Sequence, residues 1–159
     1  MRRFFSILTG LFLLASIQGQ VVSSSVWFAT NNEPYGSELA PNGEFDSDLT
    51  GWSGTNWAWN SGGDGGVALH TAGETGALYT DNLVGIAEDD VCLVVFTVGG
   101  MTASTVQATL GLTGEGIARS ANGTYEEEIT VGNSGTRLRF VPGSTFDGWV
   151  DAVSVKKKL

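Results

Sequence analysis

The sequence is poor in cysteine, in basic residues and in helical periodicity, and each shortage excludes a class of protein. One cysteine among 159 residues excludes an intrachain disulfide scaffold and a thiolate metal cluster, since both need several cysteines. Eight basic residues stand against seventeen acidic ones, for a formal charge of −9. This balance excludes nucleic acid as the partner, because phosphate binding needs lysine and arginine concentrated on one face. From residue 37 onward no helical pattern lasts longer than one turn, which excludes a helical solenoid.

Short β-rich stretches separated by Gly, Asn, Asp and Ser occupy the chain from residue 37 to 159. A run that is apolar on both faces, VCLVVF, predicts a strand in the sheet interior. In the last stretch, strict alternation would place Trp149, Asp151, Val153 and Val155 on one face. Many short strands with glycine turns indicate an all-β sandwich or jelly roll. The strands are predicted near residues 38–41, 56–59, 66–71, 77–83, 91–98, 105–112, 117–119, 125–131, 137–141 and 149–156.

The first twenty residues, MRRFFSILTGLFLLASIQGQ, form a hydrophobic N-terminal segment, and a polar linker over 21–36 follows. Two arginines before an apolar run match the outline of a secretory signal peptide, although the SIQG end lacks a clean small-x-small cleavage pattern. The alternative is an anchor that is retained and docks into a larger assembly. We favour the anchor and keep the signal peptide open. Apolar residues at spacings of three and four would form its docking face: Phe4, Ile7, Leu8, Leu11 and Leu14.

Several motifs are similar to those of a known family. The stretch 38–46 (ELAPNGEFD), the Gly51-Trp52 pair and the stretch 146–156 (FDGWVDAVSVK) resemble the opening and closing of carbohydrate-binding-module-like jelly rolls. Three further stretches, at 68–73, 119–125 and 138–140, resemble a version found in bacteriophage structural proteins. The resemblance covers about residues 37–157 and implies a jelly-roll (galactose-binding-like) β-sandwich. Two positions depart from it: Ala152 stands where the pattern has Asn, and Trp149 where it has a smaller apolar residue.

Three tryptophans are candidates for a sugar-binding platform. Trp57 and Trp59 lie two apart on a predicted strand, so both rings should face the same side. Such a pair forms either a stacking surface for pyranose rings or part of the core. The core is an alternative because a Trp side chain is large enough to fill much of a small core. Trp149 is the second platform candidate, since it lies beside a glycine and replaces a smaller residue.

The family resemblance also implies a structural Ca²⁺ between the first turn and the last strand. Glu44, Asp46 and Asp151 lie at the positions this resemblance would use. Ca²⁺ takes six to eight oxygen ligands, carboxylates among them. Since alternation predicts an inward Asp151, the carboxylate would need a partner, and the alternative to a metal is an Asp hydrogen-bonded within a turn.

No catalytic pattern is present. His70 is the only histidine, and its strand-like surroundings predict a structural role near a sheet rim. The nucleophile-elbow pattern G-x-S-x-G is absent from the sequence. Seventeen acids make chance carboxylate pairs unavoidable, so pairs of acids carry no information about glycoside hydrolysis. We therefore expect a protein that is not an enzyme.

The order of anchor, linker and domain predicts a virion-associated accessory protein of a phage. In this interpretation the segment 1–20 binds other virion proteins of the capsid or tail, and the protein forms a homo-oligomer. The jelly roll then serves as a capsid decoration, head-fibre or tail-fibre module that contacts host-surface glycans. The alternative is a secreted or periplasmic carbohydrate-binding protein whose signal peptide is removed.

Overall fold

A computed structural model describes residues 34–62 and 65–159 of the chain. The expected anchor (1–20), with Phe4, Ile7, Leu8, Leu11 and Leu14, and the linker up to residue 33 lie outside the described residues. One compact unit runs over Tyr35–Leu159, so its first strand begins two residues before the predicted domain start.

The described residues are all-β and contain no helix. No helix in these two ranges is therefore long and apolar enough to cross a membrane. In chain order the strands are β1 (Tyr35–Glu38), β2 (Trp52–Gly54), β3 (Trp57–Asn60), β4 (Val67–His70), β5 (Leu78–Thr80), β6 (Val91–Ala103), β7 (Val106–Leu110), β8 (Gly114–Glu115), β9 (Gly123–Thr130), β10 (Leu138–Pro142) and β11 (Asp147–Lys158).

The strands form two antiparallel sheets that pack as a sandwich. The six-stranded sheet has the order β3-β4-β11-β6-β9, and β1 pairs with the far end of β11, on the same edge as β4. The five-stranded sheet has the order β2-β5-β10-β7-β8. The predicted interior strand is confirmed, because β6 lies between β11 and β9. The predicted jelly-roll β-sandwich is confirmed as well.

Aromatic rings from both sheets meet in the core. Phe96 of β6 and Phe140 of β10 are fully buried, with ring centroids 5.1 Å apart in an edge-to-face arrangement. Trp52 of β2 stacks on Phe140 at 6.0 Å. Full burial of one large apolar side chain stabilises the fold by about 1.5–3 kcal/mol, so this contact between sheets is a main source of stability.

Two predicted strands are displaced, and a glutamate carboxylate binds backbone N–H groups at each place. Glu38 ends β1: its Oε1 accepts hydrogen bonds from the backbone N–H groups of Leu39, Ala40 and Val155, while the Leu39 N–H also donates to the carbonyl oxygen of Val155. The expected strand at 38–41 therefore lies earlier, at Tyr35–Glu38. The expected strand at 117–119 is replaced by a single bridge to β7, since the Glu127 carboxylate accepts the backbone N–H of residue 117.

Strict alternation in the last strand is wrong because β11 contains a β-bulge. Pairing with β6 shifts between Asp151 and Ser154, where Ala152 has a left-handed φ of 49°. The extra residue moves Trp149 and Asp151 to the outer face, while Val153 and Val155 point into the core. Asp151 is therefore not inward-facing, contrary to the prediction from the pattern.

Candidate functional site

The two tryptophans of β3 share the inner face of the sheet but not the same environment. Trp57 is only 7% exposed, and it packs against the rings of His70 and Phe146. Its indole N–H donates to the carbonyl oxygen of Gly76 at 2.6 Å. Trp57 is thus a core residue with its one polar group satisfied, and its ring offers little surface to a ligand.

Trp59 lies two residues further along the same edge strand and is 38% exposed. Its indole N–H donates to the carbonyl oxygen of Phe45 at 2.6 Å. A Cβ on Gly66 would overlap this indole, so the ring rests directly on the glycine backbone. The hydrogen bond and this contact fix the ring while leaving part of it accessible. Those are the properties of a sugar-stacking platform.

Trp149 occupies the outer face of the six-stranded sheet. It pairs with Gly99 of β6 and Leu69 of β4, and a Cβ on Gly99 would overlap its indole. The departure from the family pattern is thereby explained: the larger ring fills the space above Gly99 and Gly100. Trp149 is partly exposed.

These three tryptophans do not form one surface. Register links Trp59 to Ala68 and Ala68 to Val150, all on the inner face, whereas Trp149 lies on the outer face. The structure therefore offers two separate aromatic positions, Trp59 at the sandwich edge and Trp149 on the outer sheet face.

The three candidate calcium ligands are brought together only in part. Asp151 and Asp46 are near enough that the charge of Asp46 helps to raise the pKa of Asp151, although desolvation by burial is the larger cause. One oxygen of Asp151, Oδ1, is buried without a hydrogen-bond partner. Glu44 is exposed. Within residues 34–62 and 65–159, groups of three His, Cys, Asp or Glu side chains arranged for a metal ion are absent.

Of the three expected ligands, Asp46 and Asp151 would hold the implied Ca²⁺, and the unpartnered Oδ1 of Asp151 is the observation that fits a bound cation. Backbone carbonyls and water would have to supply the other ligands that Ca²⁺ requires.

Sequence reasoning missed a second feature, a groove of about 550 Å³ on the outer face of the five-stranded sheet. Tyr79, Arg137 and Arg139 line it, together with Asn82 and Leu112. The sequence did contain one indication of this groove. Two of the three arginines in the domain, Arg137 and Arg139, lie two residues apart at the start of β10. The ring that they flank lies on β5, far away in the sequence, and the pattern of β10 alone does not reveal it.

Neither His70 nor Cys92 is placed for chemistry. His70 is 3% exposed, and its Nδ1 is 3.0 Å from the carbonyl oxygen of Phe146. It is enclosed by Trp57 and Phe146 rather than placed at an open rim. Cys92 is buried, and desolvation raises the pKa of its thiol to about 11. A thiol with that pKa holds almost no thiolate at neutral pH.

Comparison with known proteins identifies the fold. No protein-family model matches the chain, and no curated protein matches it. Among solved structures, the C-terminal CBM6 of LamC, a marine laminarinase from Zobellia galactanivorans, is similar with 10% identity and a TM-score of 0.52, over 77% of this chain and 98% of that one. The N-terminal cellulose-binding domain of Cellulomonas fimi β-1,4-glucanase C has 15% identity and a TM-score of 0.52, over 77% of this chain and 99% of that one.

Part of a phage protein has a similar fold. The enzymatically active domain of bacteriophage CBA120 tailspike protein 4 has 12% identity and a TM-score of 0.53 over 76% of this chain. The match covers only 21% of that domain. At these identities the similarity shows the fold alone. The described domain has the jelly-roll fold of carbohydrate-binding modules.

Proposed function

We propose that this protein is a non-enzymatic, virion-associated accessory protein whose jelly roll binds glycans on the host surface. The head would act as a capsid decoration, head-fibre or tail-fibre module, and the segment 1–20 would attach it to other virion proteins.

The observation that carries glycan binding is the fixed, accessible ring of Trp59. Its 38% exposure contrasts with the buried Trp57 on the same face. Because the Phe45 carbonyl and the Gly66 backbone already hold the indole, stacking on a sugar would order few additional groups. Exposed Ser61, two residues after Trp59, would supply a polar contact that orients a sugar.

The single histidine of the chain is not available as a general acid or base. His70 is enclosed by rings, and its Nδ1 already interacts with a backbone carbonyl. General acid–base catalysis needs a titrating group within reach of substrate.

Sugar binding is tested by affinity electrophoresis of the full-length protein in gels containing immobilised neutral polysaccharides. Wild type should be retarded by at least one of them, and Trp59→Ala should weaken that binding about tenfold, as expected for loss of a stacked ring. Ile117→Ala removes another exposed apolar side chain and serves as the matched control. Unchanged retardation of Trp59→Ala, with melting temperatures equal to wild type, would contradict the proposed platform.

A virion location is supported by the order of anchor, linker and domain and by the phage-like motifs at 68–73, 119–125 and 138–140. The alternative, a secreted or periplasmic carbohydrate-binding protein, rests on the signal-peptide outline of the same first residues. Intact-mass measurement of the native protein separates the two. A chain in purified particles that retains residues 1–20 supports the virion role, whereas a chain that begins near Gln20 or Val21 refutes the anchor.

A further inference from the structure

We infer that the groove on the five-stranded sheet binds acidic saccharides, with Arg137 and Arg139 binding the carboxylates beside Tyr79. The inference deepens the proposed function and rests on it, since it names a substrate class for a second surface of the same domain.

The groove combines an aromatic ring with two guanidinium groups. Arg139 of β10 lies directly opposite Tyr79 of β5 in the sheet, and the guanidinium of Arg137 lies over the Tyr79 ring at 5.2 Å from its centroid. Arg137 is exposed, and Arg139 and Tyr79 are half-buried. The Tyr79 ring thus holds Arg137 in place, and an acidic sugar in the groove would meet two fork-shaped donors together.

Neither guanidinium group has an acidic partner among the described residues, although the protein is acidic. Ion pairs among the described residues use Arg119, Lys157 and Lys158, and none uses Arg137 or Arg139. Arg119 provides the contrast, because Glu127 neutralises it at 3.0 Å. The chain has seventeen acidic residues, yet none of the described carboxylates pairs with Arg137 or Arg139. These two side chains therefore leave a positive surface for an external anion.

The size and the wall of the groove also suit a saccharide. Its volume of about 550 Å³ falls within the usual range of ligand sites, roughly 300–1,000 Å³. Its wall is held in place: the backbone N–H of Thr136 donates to Asn82 Oδ1 at 3.2 Å, and the Thr136 hydroxyl donates to the carbonyl oxygen of Leu83 at 2.8 Å. The site is thus largely formed before a ligand arrives.

The test is isothermal titration calorimetry on the full-length chain with hexagalacturonate and with its fully methyl-esterified form. The two probes share a backbone and differ in charge. Wild type should bind the acid at least about tenfold more tightly than the ester, because ionic hydrogen bonds to the guanidinium groups are lost in the ester. Arg137→Met and Arg139→Met should each weaken binding of the acid by a similar factor.

Matched controls separate this site from total charge and from exposed apolar surface. Lys156→Met removes the same charge from the other sheet and should leave binding of the acid unchanged. Ile117→Ala removes an exposed apolar side chain and should also leave it unchanged. Equal affinity for acid and ester, or arginine variants that bind as wild type does, would overturn the inference. Comparable binding of inorganic phosphate alone would show a simple anion site and would overturn it too.

The two proposals can fail separately. If neutral polysaccharides bind through Trp59 while hexagalacturonate does not bind, glycan binding stands and the acidic-saccharide site falls. If hexagalacturonate binds through the arginines and neutral sugars do not bind, the arginine site stands and the Trp59 platform falls.

Discussion

Trp57 and Trp59 differ because of what each ring meets on the inner face of an edge strand. Trp57 faces His70 and Phe146, which close over it, whereas Trp59 reaches the sandwich edge and rests on Gly66. Period-two spacing places both residues on one face but does not say where the opposing layer ends. At the residue scale, exposure is therefore decided by neighbours that are distant in the sequence.

Asp151 is the residue at which the calcium hypothesis can be tested. Burial and the nearby Asp46 raise its pKa, so the native state holds this proton more tightly than the unfolded chain does. The ionised Asp151 carboxylate therefore destabilises the native state. This destabilisation is absent below the unfolded pKa of about 3.9 and develops as the pH rises through the raised native pKa. In metal-free protein at neutral pH, Asp151→Asn should therefore raise the melting temperature.

With Ca²⁺ added, the wild type should melt at a higher temperature than Asp151→Asn. The wild-type melting temperature should rise with Ca²⁺ and fall again with EDTA, since a cation bound only to the native state stabilises it by mass action. Asp151→Asn and Asp46→Asn should lose that response, whereas the exposed Glu44→Gln should keep most of it. A wild-type protein stripped of metal that shows no response to Ca²⁺ would leave Asp151 without a metal-binding role.

At the scale of elements, β11 shows what a sequence pattern can and cannot predict. The uninterrupted apolar run in β6 was sufficient to predict an interior strand, and the structure buries one face of this run fully and the other partly. One extra residue in β11 reverses the orientation of every side chain beyond it, and alternation carries no mark of that insertion. The groove at Tyr79 was equally hidden, since its ring and its arginines come from strands far apart in sequence.

The bulge gives position 152 a conformation that suits Asn better than Ala. Asn tolerates the left-handed conformation that Ala152 adopts at φ 49°, and the motif that the sequence resembles has Asn at this position. We expect Ala152→Asn to stabilise the domain by about 1 kcal/mol, measured by urea denaturation. Ala152→Gly should gain less, because glycine also adds entropy to the unfolded chain.

The control is Ala58→Asn, on an exposed position of β3 outside the bulge, which should give no gain because Asn is unfavourable in ordinary strands. Equal effects of Asn at 58 and 152 would show that the φ of residue 152 is not the cause.

At the scale of the whole molecule, the two sheets present different chemistry. The six-stranded sheet has Trp59 at its edge and Trp149 on its outer face, and the five-stranded sheet carries the arginine groove. A jelly roll can carry such separate sites because each outer face is built from side chains that the core does not use. The shared fold therefore limits where a ligand can bind without determining which ligand it is.

The last prediction concerns assembly through the segment 1–20. A domain of this size can fold alone, since about 120 residues bury enough apolar surface. In water, an apolar run over residues 4–17 would expose more contiguous apolar area than soluble monomers tolerate, so it must be removed, inserted into lipid or buried against protein. We expect burial against protein, either among copies of the chain in a closed oligomer or on a capsid or tail component.

Light scattering on the full-length chain beside a fragment of residues 35–159 tests this expectation. The full-length chain should be oligomeric, or insoluble without its partner, whereas the fragment should be a monomer. Replacing Leu8 and Leu11 together with Gln places two polar groups on the expected docking face and should shift the full-length chain toward monomer. The matched control, Leu112→Gln, changes an exposed leucine of the domain and should leave the oligomer intact. An uncleaved full-length protein that is freely soluble and monomeric would refute the docking role, because its apolar run would then need no partner.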